Sequence, residues 1–228
     1  MEPGSAPGGP DRAGPPPAWA ALRRAYAGDG LHERDLAADP MAMFGRWYAE
    51  AVAAGLHQPE AVVLATSTRD GRPSSRMVLL KGVTEWGFVF FTNLLSRKGT
   101  ELAANPSCAL LFPWNPLERQ VRVEGVASQL LREDVVAQFA ARPRPSQVGT
   151  WASHQSQVVP DRDALDEAYA QAQARFADQP EVPPPAEWGG YAVRPETVEF
   201  WQGRPGRMHD RLVYRRRDDG WHVQRLAP

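Results

Sequence analysis

Cysteine occurs once in the 228 residues, at Cys108, which excludes an internal disulfide framework and any multi-cysteine metal site. Lysine occurs only twice, at Lys81 and Lys98. No apolar run approaches the ~20 residues that a membrane-spanning helix requires. The opening stretch, MEPGSAPGGPDRAGPPP, has neither the basic start nor the apolar segment of a secretory signal. Neither sign of charge is in excess. The 26 basic and 27 acidic side chains leave a net charge of −1, and no global electrostatic case for a nucleic-acid or membrane partner. Missing too are a GxGxxG turn after a strand, a GxxxxGK[ST] loop, a GxSxG elbow and an HExxH helix. The expectation is a cytoplasmic globular protein that holds no metal and uses none of the common hydrolase devices.

Hydrophobic residues make up 43% of the chain and include eight tryptophans, enough to bury a core. Two lysines among 26 basic residues leave 24 arginines, a bias that uses arginine wherever either residue serves. The remaining lysines then mark places where a compact ammonium fits and a guanidinium fork does not; chance survival is the other reading.

Residues 1–18 are rich in Pro, Gly and Ala and are expected to be a disordered tail, with one domain over 19–228. A short basic helix is predicted around Trp19 to Tyr26. Asp39-Pro40 reads as a helix cap, and Phe44, Trp47, Tyr48, Ala51 and Val52 share one face of the helix that follows, ending near Gly55. From Ala61 the period changes to that of strands. AVVLATS and SSRMVLLK flank an Asp70-Gly71 turn; GFVFFTN, SCALLFPW and RQVRVEGVASQL follow. Ser96 caps a short helix, RKGTELAAN, that stops before Pro106. Residues 132–141 and 161–177 read as helices, QPEVPPPAEWGG as a linker or ordered loop, and YAVRPETVEFWQG, RLVYRRR and WHVQRLAP as the last strands. The pattern predicts a mainly β, antiparallel small barrel with helical additions.

Five clusters carry candidate chemistry. Arg76 and Lys81 end one strand but fall on opposite faces, so a shared ligand requires a bulge, or Lys81 placed beyond the sheet edge where Gly82 permits a bend. Arg97 and Lys98 sit at a helix start, which the macrodipole disfavours unless an anion docks there. Gln120, Arg122 and Glu124 share a strand face. That face is either a solvated ion pair or, through Gln120, a reader of a heteroaromatic edge. Arg142, Arg144 and Ser146 lie in a proline-stiffened loop suited to phosphate, or simply to the surface. Arg207, His209 and Arg211 crowd one face if the segment is extended, with Trp201 as a flat wall nearby.

In order along the chain, RMVLLKG, FFTNLLSRKG, ERQVRVEG, RPRPSQVG, ASHQS, WGGY, EFWQG, RMHDR and RLAP resemble one family, the FMN-dependent pyridoxine (pyridoxamine) 5′-phosphate oxidases. The resemblance runs from about Leu22 to Pro228 and implies an FMN-binding split β-barrel homodimer with sites at the subunit interface. It also implies oxidation of pyridoxine or pyridoxamine 5′-phosphate to pyridoxal 5′-phosphate, with hydride passing to the flavin and oxygen giving hydrogen peroxide. Carried over residue by residue, Arg76, Met77, Val78, Leu79, Leu80, Lys81, Phe91, Thr92, Arg97 and Lys98 line FMN. Gln120, Gln155, Ser156, Trp201 and Arg211 complete that site. Lys81, Arg142 and Ser146 hold substrate phosphate, Arg207 and His209 act as the catalytic pair over the flavin, and Arg23 and Tyr26 belong to a covering segment. Two positions depart from the family pattern: Gln138 stands where a Tyr that joins the substrate phosphate is usual, and Pro113 where an aromatic is frequent.

Overall fold

The structure, a computed structural model, describes residues 26 and 30–228. The expected tail, most of the helix predicted around Trp19 to Tyr26, and Arg23 lie outside the described residues.

Period-two burial builds the sheet. In β1 (Ala61–Ser67), Val62, Leu64 and Thr66 point inward. β2 (Pro73–Leu79) pairs antiparallel with β1 across the predicted Asp70-Gly71 turn, where Gly71 has φ +84°. Only Leu80 and Lys81 separate β2 from β3 (Gly82–Thr84). The remaining strands are β4 (Gly87–Asn93), β5 (Ser107–Trp114), β6 (Arg119–Gln129), β7 (Trp188–Gln202), β8 (Asp210–Arg217) and β9 (Gly220–Arg225). The sheet runs β2-β1-β5-β6-β7-β4-β3, and β8 and β9 extend from β7. β2 and β3 stand at opposite ends of that path yet are joined by two residues, so the sheet has to curl. The Lys81 N–H donates to the Val89 carbonyl at 2.8 Å and links the two ends of the half-barrel.

β7 is the spine. Its first half pairs with β4, from Trp188 opposite Asn93 to Val193 opposite Phe88; its second half pairs with β8, from Thr197 to Gln202. β6 follows both halves through a register shift at Glu124/Gly125. A Cβ on Gly125 would lie 2.2 Å from the Arg194 carbonyl oxygen, so the strands meet there only because that residue is glycine.

α1 (Pro40–Ala53) begins as predicted, with the Asp39 carboxylate accepting from the Met41 and Ala42 N–H groups at 2.7 and 3.2 Å. It lays Phe44 against Phe88 and Phe112, with ring centroids 4.9 and 4.8 Å apart, and Trp47 edge-on to Phe200. Each such fully buried side chain contributes about 1.5–3 kcal/mol. The helix α2 (Arg97–Ala104) packs beside the sheet. A satellite core of Phe139, Val148, Phe176 and Val182 joins α3 (Arg132–Ala140), α4 (Arg144–Ala152) and α5 (Arg162–Arg175). No helix among the described residues is long and apolar enough to cross a membrane.

Three sequence expectations are corrected. The Arg142–Gln147 segment is not a stiff loop: α4 starts at Arg144, because a proline is tolerated in a first turn where its missing N–H has no helical partner. The Trp188-Gly189-Gly190 part of the supposed linker is strand, since both glycines pair with β4. The Arg207–Arg211 segment is not extended throughout: Pro205–Arg207 form a 3-10 turn, Arg207 has φ +63°, and β8 begins only at Asp210. Arg207, His209 and Arg211 therefore do not form one strand face.

Candidate active site

The predicted residues gather in two groups. The first surrounds a cavity of about 240 Å³ lined by Met77, Val78 and Leu79 of β2, by Lys81, by Phe91 and Thr92 of β4, and by Lys98, Arg142 and Gln155. Lys81 reaches it from the two-residue link between β2 and β3, whereas Arg76 does not line it. A second cavity of about 180 Å³ shares Arg142 and Gln155 and adds Ser146. Leu80 lies instead in a pocket with Lys81 against α1. Arg76 turns inward, donating to Thr66 and Ser74 hydroxyls at 2.5 Å, and Arg97 is mostly exposed at the start of α2.

Ser96 caps α2 through Gly99 N, and a Cβ on Gly99 would meet the Leu94 carbonyl oxygen at 2.2 Å, so the first turn sits hard against the β4–α2 loop. That turn carries no acid. The Lys98 ammonium, buried there, donates to Gln155 Oε1 at 2.6 Å, and Thr92 Oγ1 donates to the same oxygen at 3.3 Å. Burial, with Arg76 nearby, brings the Lys98 pKa down to about 8. Arg142 is held by Thr150, 2.8 Å away, and lies 4.3 Å from the Trp188 ring centre; burial lowers its pKa. Ser156 has φ +72°, a strained conformation for a residue with a Cβ.

The second group lies at the far end of β7. Gln120, Trp201 and Arg211 form one cross-strand row on β6, β7 and β8. Arg211 makes a two-pronged bond to the buried Glu199 carboxylate at 2.7 and 3.1 Å, which raises its pKa, and Arg122 completes the ion pair at 3.3 Å. The solvated-ion-pair reading of Arg122 thus holds in part. His209 packs on Trp201 and Tyr26, with ring centroids 4.7 and 5.2 Å away. Its Nδ1 accepts from Arg204 N at 3.1 Å, so the neutral ring carries its proton on Nε2. Arg207 is exposed beside them.

Trp188 and Trp201 are thirteen residue steps apart on β7, about 43 Å of strand path. Sequence reasoning did not pick out Trp188, Thr150, Glu101 or Glu199 as site residues, and noted Gln138 only as a departure. Gln138 and Trp188 line the first cavity, and their Oε1 and Nε1 atoms are buried without a hydrogen-bond partner.

The chain is similar to solved structures and to curated proteins. A solved structure described as PhzG from Burkholderia lata in complex with tetrahydrophenazine-1-carboxylic acid superposes with a TM-score of 0.82 at 33% identity, covering 88% of this chain and 98% of that one. A structure from Nostoc punctiforme, described as a pyridoxamine 5′-phosphate oxidase-related, FMN binding protein, has a TM-score of 0.66 at 17% identity, covers 85% of this chain and all of that one, and shares the fold. The architecture is therefore that of the split β-barrels. The family described as Pyridoxamine 5′-phosphate oxidase matches residues 48–202, and the region described as Pyridoxine 5′-phosphate oxidase C-terminal dimerisation region matches 188–228. A protein of Nocardioides named pyridoxine/pyridoxamine 5′-phosphate oxidase is 65% identical over 92% of this chain and 97% of its own; one of Rubrobacter xylanophilus with the same name is 55% identical over 92% and 96%. The chain belongs to the pyridoxamine 5′-phosphate oxidase family.

Proposed function

We propose that the chain oxidises pyridoxine 5′-phosphate or pyridoxamine 5′-phosphate to pyridoxal 5′-phosphate, with FMN as its redox cofactor and oxygen as the final acceptor. The observation that carries the reading is the cavity that collects Lys81, Lys98, Arg142 and Gln155 from four separate stretches of chain. The same cavity is lined by two side chains with buried, unpartnered polar atoms, which suits a ligand with donor and acceptor edges. Such a cation set fits phosphate groups.

FMN when bound supplies the two-electron acceptor for the hydride lost from the substrate carbon, and oxygen then carries those electrons away as hydrogen peroxide. Arg76, Arg97 and Lys98 hold the cofactor phosphate at the start of α2; Lys81, Arg142 and Ser146 hold the substrate phosphate. Gln155, its oxygen engaged by Lys98 and Thr92, keeps its amide N–H groups for the flavin. Arg207 and His209 cover the reacting face, with the Nε2 proton of His209 available to a substrate oxygen or amine. The two residue groups lie at opposite ends of β7, so the working unit is a homodimer in which each site takes one group from either chain. The test is anaerobic mixing of the flavin-loaded protein with pyridoxamine 5′-phosphate. The visible absorption of the flavin bleaches and pyridoxal 5′-phosphate appears in equal amount; an unbleached flavin contradicts the reading.

Lys98 makes the cofactor affinity pH-dependent. Below about 8 the ammonium is charged and favours the phosphate. As pH rises through 8 the free protein loses that charge, and FMN affinity falls by up to about tenfold per unit until pH exceeds the higher pKa that Lys98 has in the complex. The flavin-free fold shows the opposite trend. Its Lys98 binds fewer protons than the unfolded chain between about 8 and 10.5, so the Lys98 contribution to stability rises with pH across that window. Titrating FMN at pH 7 and 9 into the wild type and Lys98→Met checks this; equal pH dependence in both removes Lys98 from the phosphate site.

A further inference from the structure

Glu101 is an unexpected residue to find beside a phosphate site. It lies one turn after Arg97 on α2, its side chain is 5% exposed, and it carries a full negative charge among the cations assigned to the cofactor phosphate. Its Oε1 accepts from Arg97 Nε at 2.9 Å. Its Oε2 accepts from Thr66 Oγ1 and Ser74 Oγ, both at 2.5 Å, and lies 3.4 Å from Arg76 Nη2. Burial alone would raise its pKa; the hydrogen bonds from Ser74, Thr66 and Arg97 outweigh that and hold it at about 2. The carboxylate is thus ionised at any working pH and binds β1, β2 and α2 together.

We propose that Glu101 is a positioning residue for the cofactor phosphate: with Arg76 locked behind it against Thr66 and Ser74, it fixes the guanidinium of Arg97 so that the two terminal nitrogens of Arg97 present a rigid, preformed anion contact beside Lys98. The proposal rests on the FMN reading above. Arg97 spends only its Nε on Glu101, which leaves its two terminal nitrogens without a hydrogen bond to that carboxylate. A free arginine on a first helical turn would have to be ordered by the ligand, at a cost in side-chain entropy that Glu101 removes. The charge count also favours this role. Arg76, Arg97 and Lys98 supply three positive charges, Glu101 removes one, and the balance matches a phosphate dianion. Without Glu101, the partly buried Arg76 and the buried Lys98 would lie near the more exposed Arg97 with no carboxylate between them.

Coulomb attraction by itself gives the opposite expectation, because removing a carboxylate from beside a phosphate strengthens the field that draws it in. The sign of the effect therefore separates positioning from simple charge. Riboflavin, which shares the ring system of FMN but has no phosphate, separates positioning from structure.

The experiment titrates the full chain, stripped of flavin, with FMN and with riboflavin for the wild type, Glu101→Gln and Glu101→Asp. Glutamine keeps the shape and loses the charge; aspartate keeps the charge and loses the reach. Both variants are expected to bind FMN about tenfold more weakly, the scale of one charge-assisted hydrogen bond, with riboflavin affinity within roughly twofold of the wild type. Tighter FMN binding in Glu101→Gln, wild-type FMN binding in Glu101→Asp, or parallel loss of both ligands overturns the proposal. If Glu101→Gln fails to fold, Glu101→Asp decides alone. A wild type that binds riboflavin as tightly as FMN contradicts the cofactor reading itself, a result distinct from any variant effect.

Discussion

Arg142→Ala is expected to raise KM for pyridoxamine 5′-phosphate by on the order of a hundredfold while the protein keeps its flavin, the scale of losing a two-pronged, charge-assisted contact of about 3 kcal/mol. Arg142 lines both adjoining cavities, and its guanidinium is already set before any ligand arrives: one edge meets Thr150 and one face lies over Trp188. Such a group offers its free N–H bonds at little entropic cost. Its burial makes the charge costly without a partner, which an arriving phosphate relieves. Arg142→Lys should recover little, because a lysine cannot both stack on the indole and bridge two phosphate oxygens. Steady-state kinetics with flavin content measured first reads the effect, and a KM within twofold of the wild type would remove Arg142 from the substrate site.

Arg207→Ala is expected to lose at least about tenfold in kcat/KM with FMN retained. Among the described residues Arg207 has no hydrogen bond or ion pair, unlike Arg211, which is committed to Glu199. It stands on a turn whose two central residues, Gly206 and Arg207, both have positive φ, a conformation that is costly for an arginine and accumulates where function requires it. Its charge is therefore uncommitted among the described residues. His209→Ala should be milder, since loss of hydride to the flavin needs no protein nucleophile. Loss of flavin from Arg207→Ala, with normal turnover once FMN is resupplied, would make Arg207 a cofactor ligand instead.

How much of this was legible in the sequence differs between the two groups. Strand alternation carried β1, β5 and β6, and capping chemistry carried both Asp39 and Ser96, because these signals are local. Lys81 stood out by composition, as one of two lysines, but its place on the cavity depends on the two-residue link between β2 and β3, which alternation does not define. The Pro205–Arg207 turn was not legible: its geometry follows from Gly206 and from the His209 bond to Arg204, neither of which leaves a periodic trace. The cross-strand row Gln120–Trp201–Arg211 depends on register across residues 120–211, which period alone does not fix. Glu101 and Glu199 are invisible for a similar reason. A glutamate near arginines reads as surface charge until the fold buries it.

The central claim is that each site takes the Arg142 group from one chain and the Arg207 group from another. Mixing Arg142→Ala with Arg207→Ala, under conditions where subunits exchange, tests it most directly. Half of the reassorted dimers pair one variant with the other, and each of these holds one site free of both substitutions, so activity should return to about a quarter of the wild type from two nearly inactive parents. If both groups served a site within a single chain, the mixture would show no more than the average of its parents, and the two-chain account would be wrong.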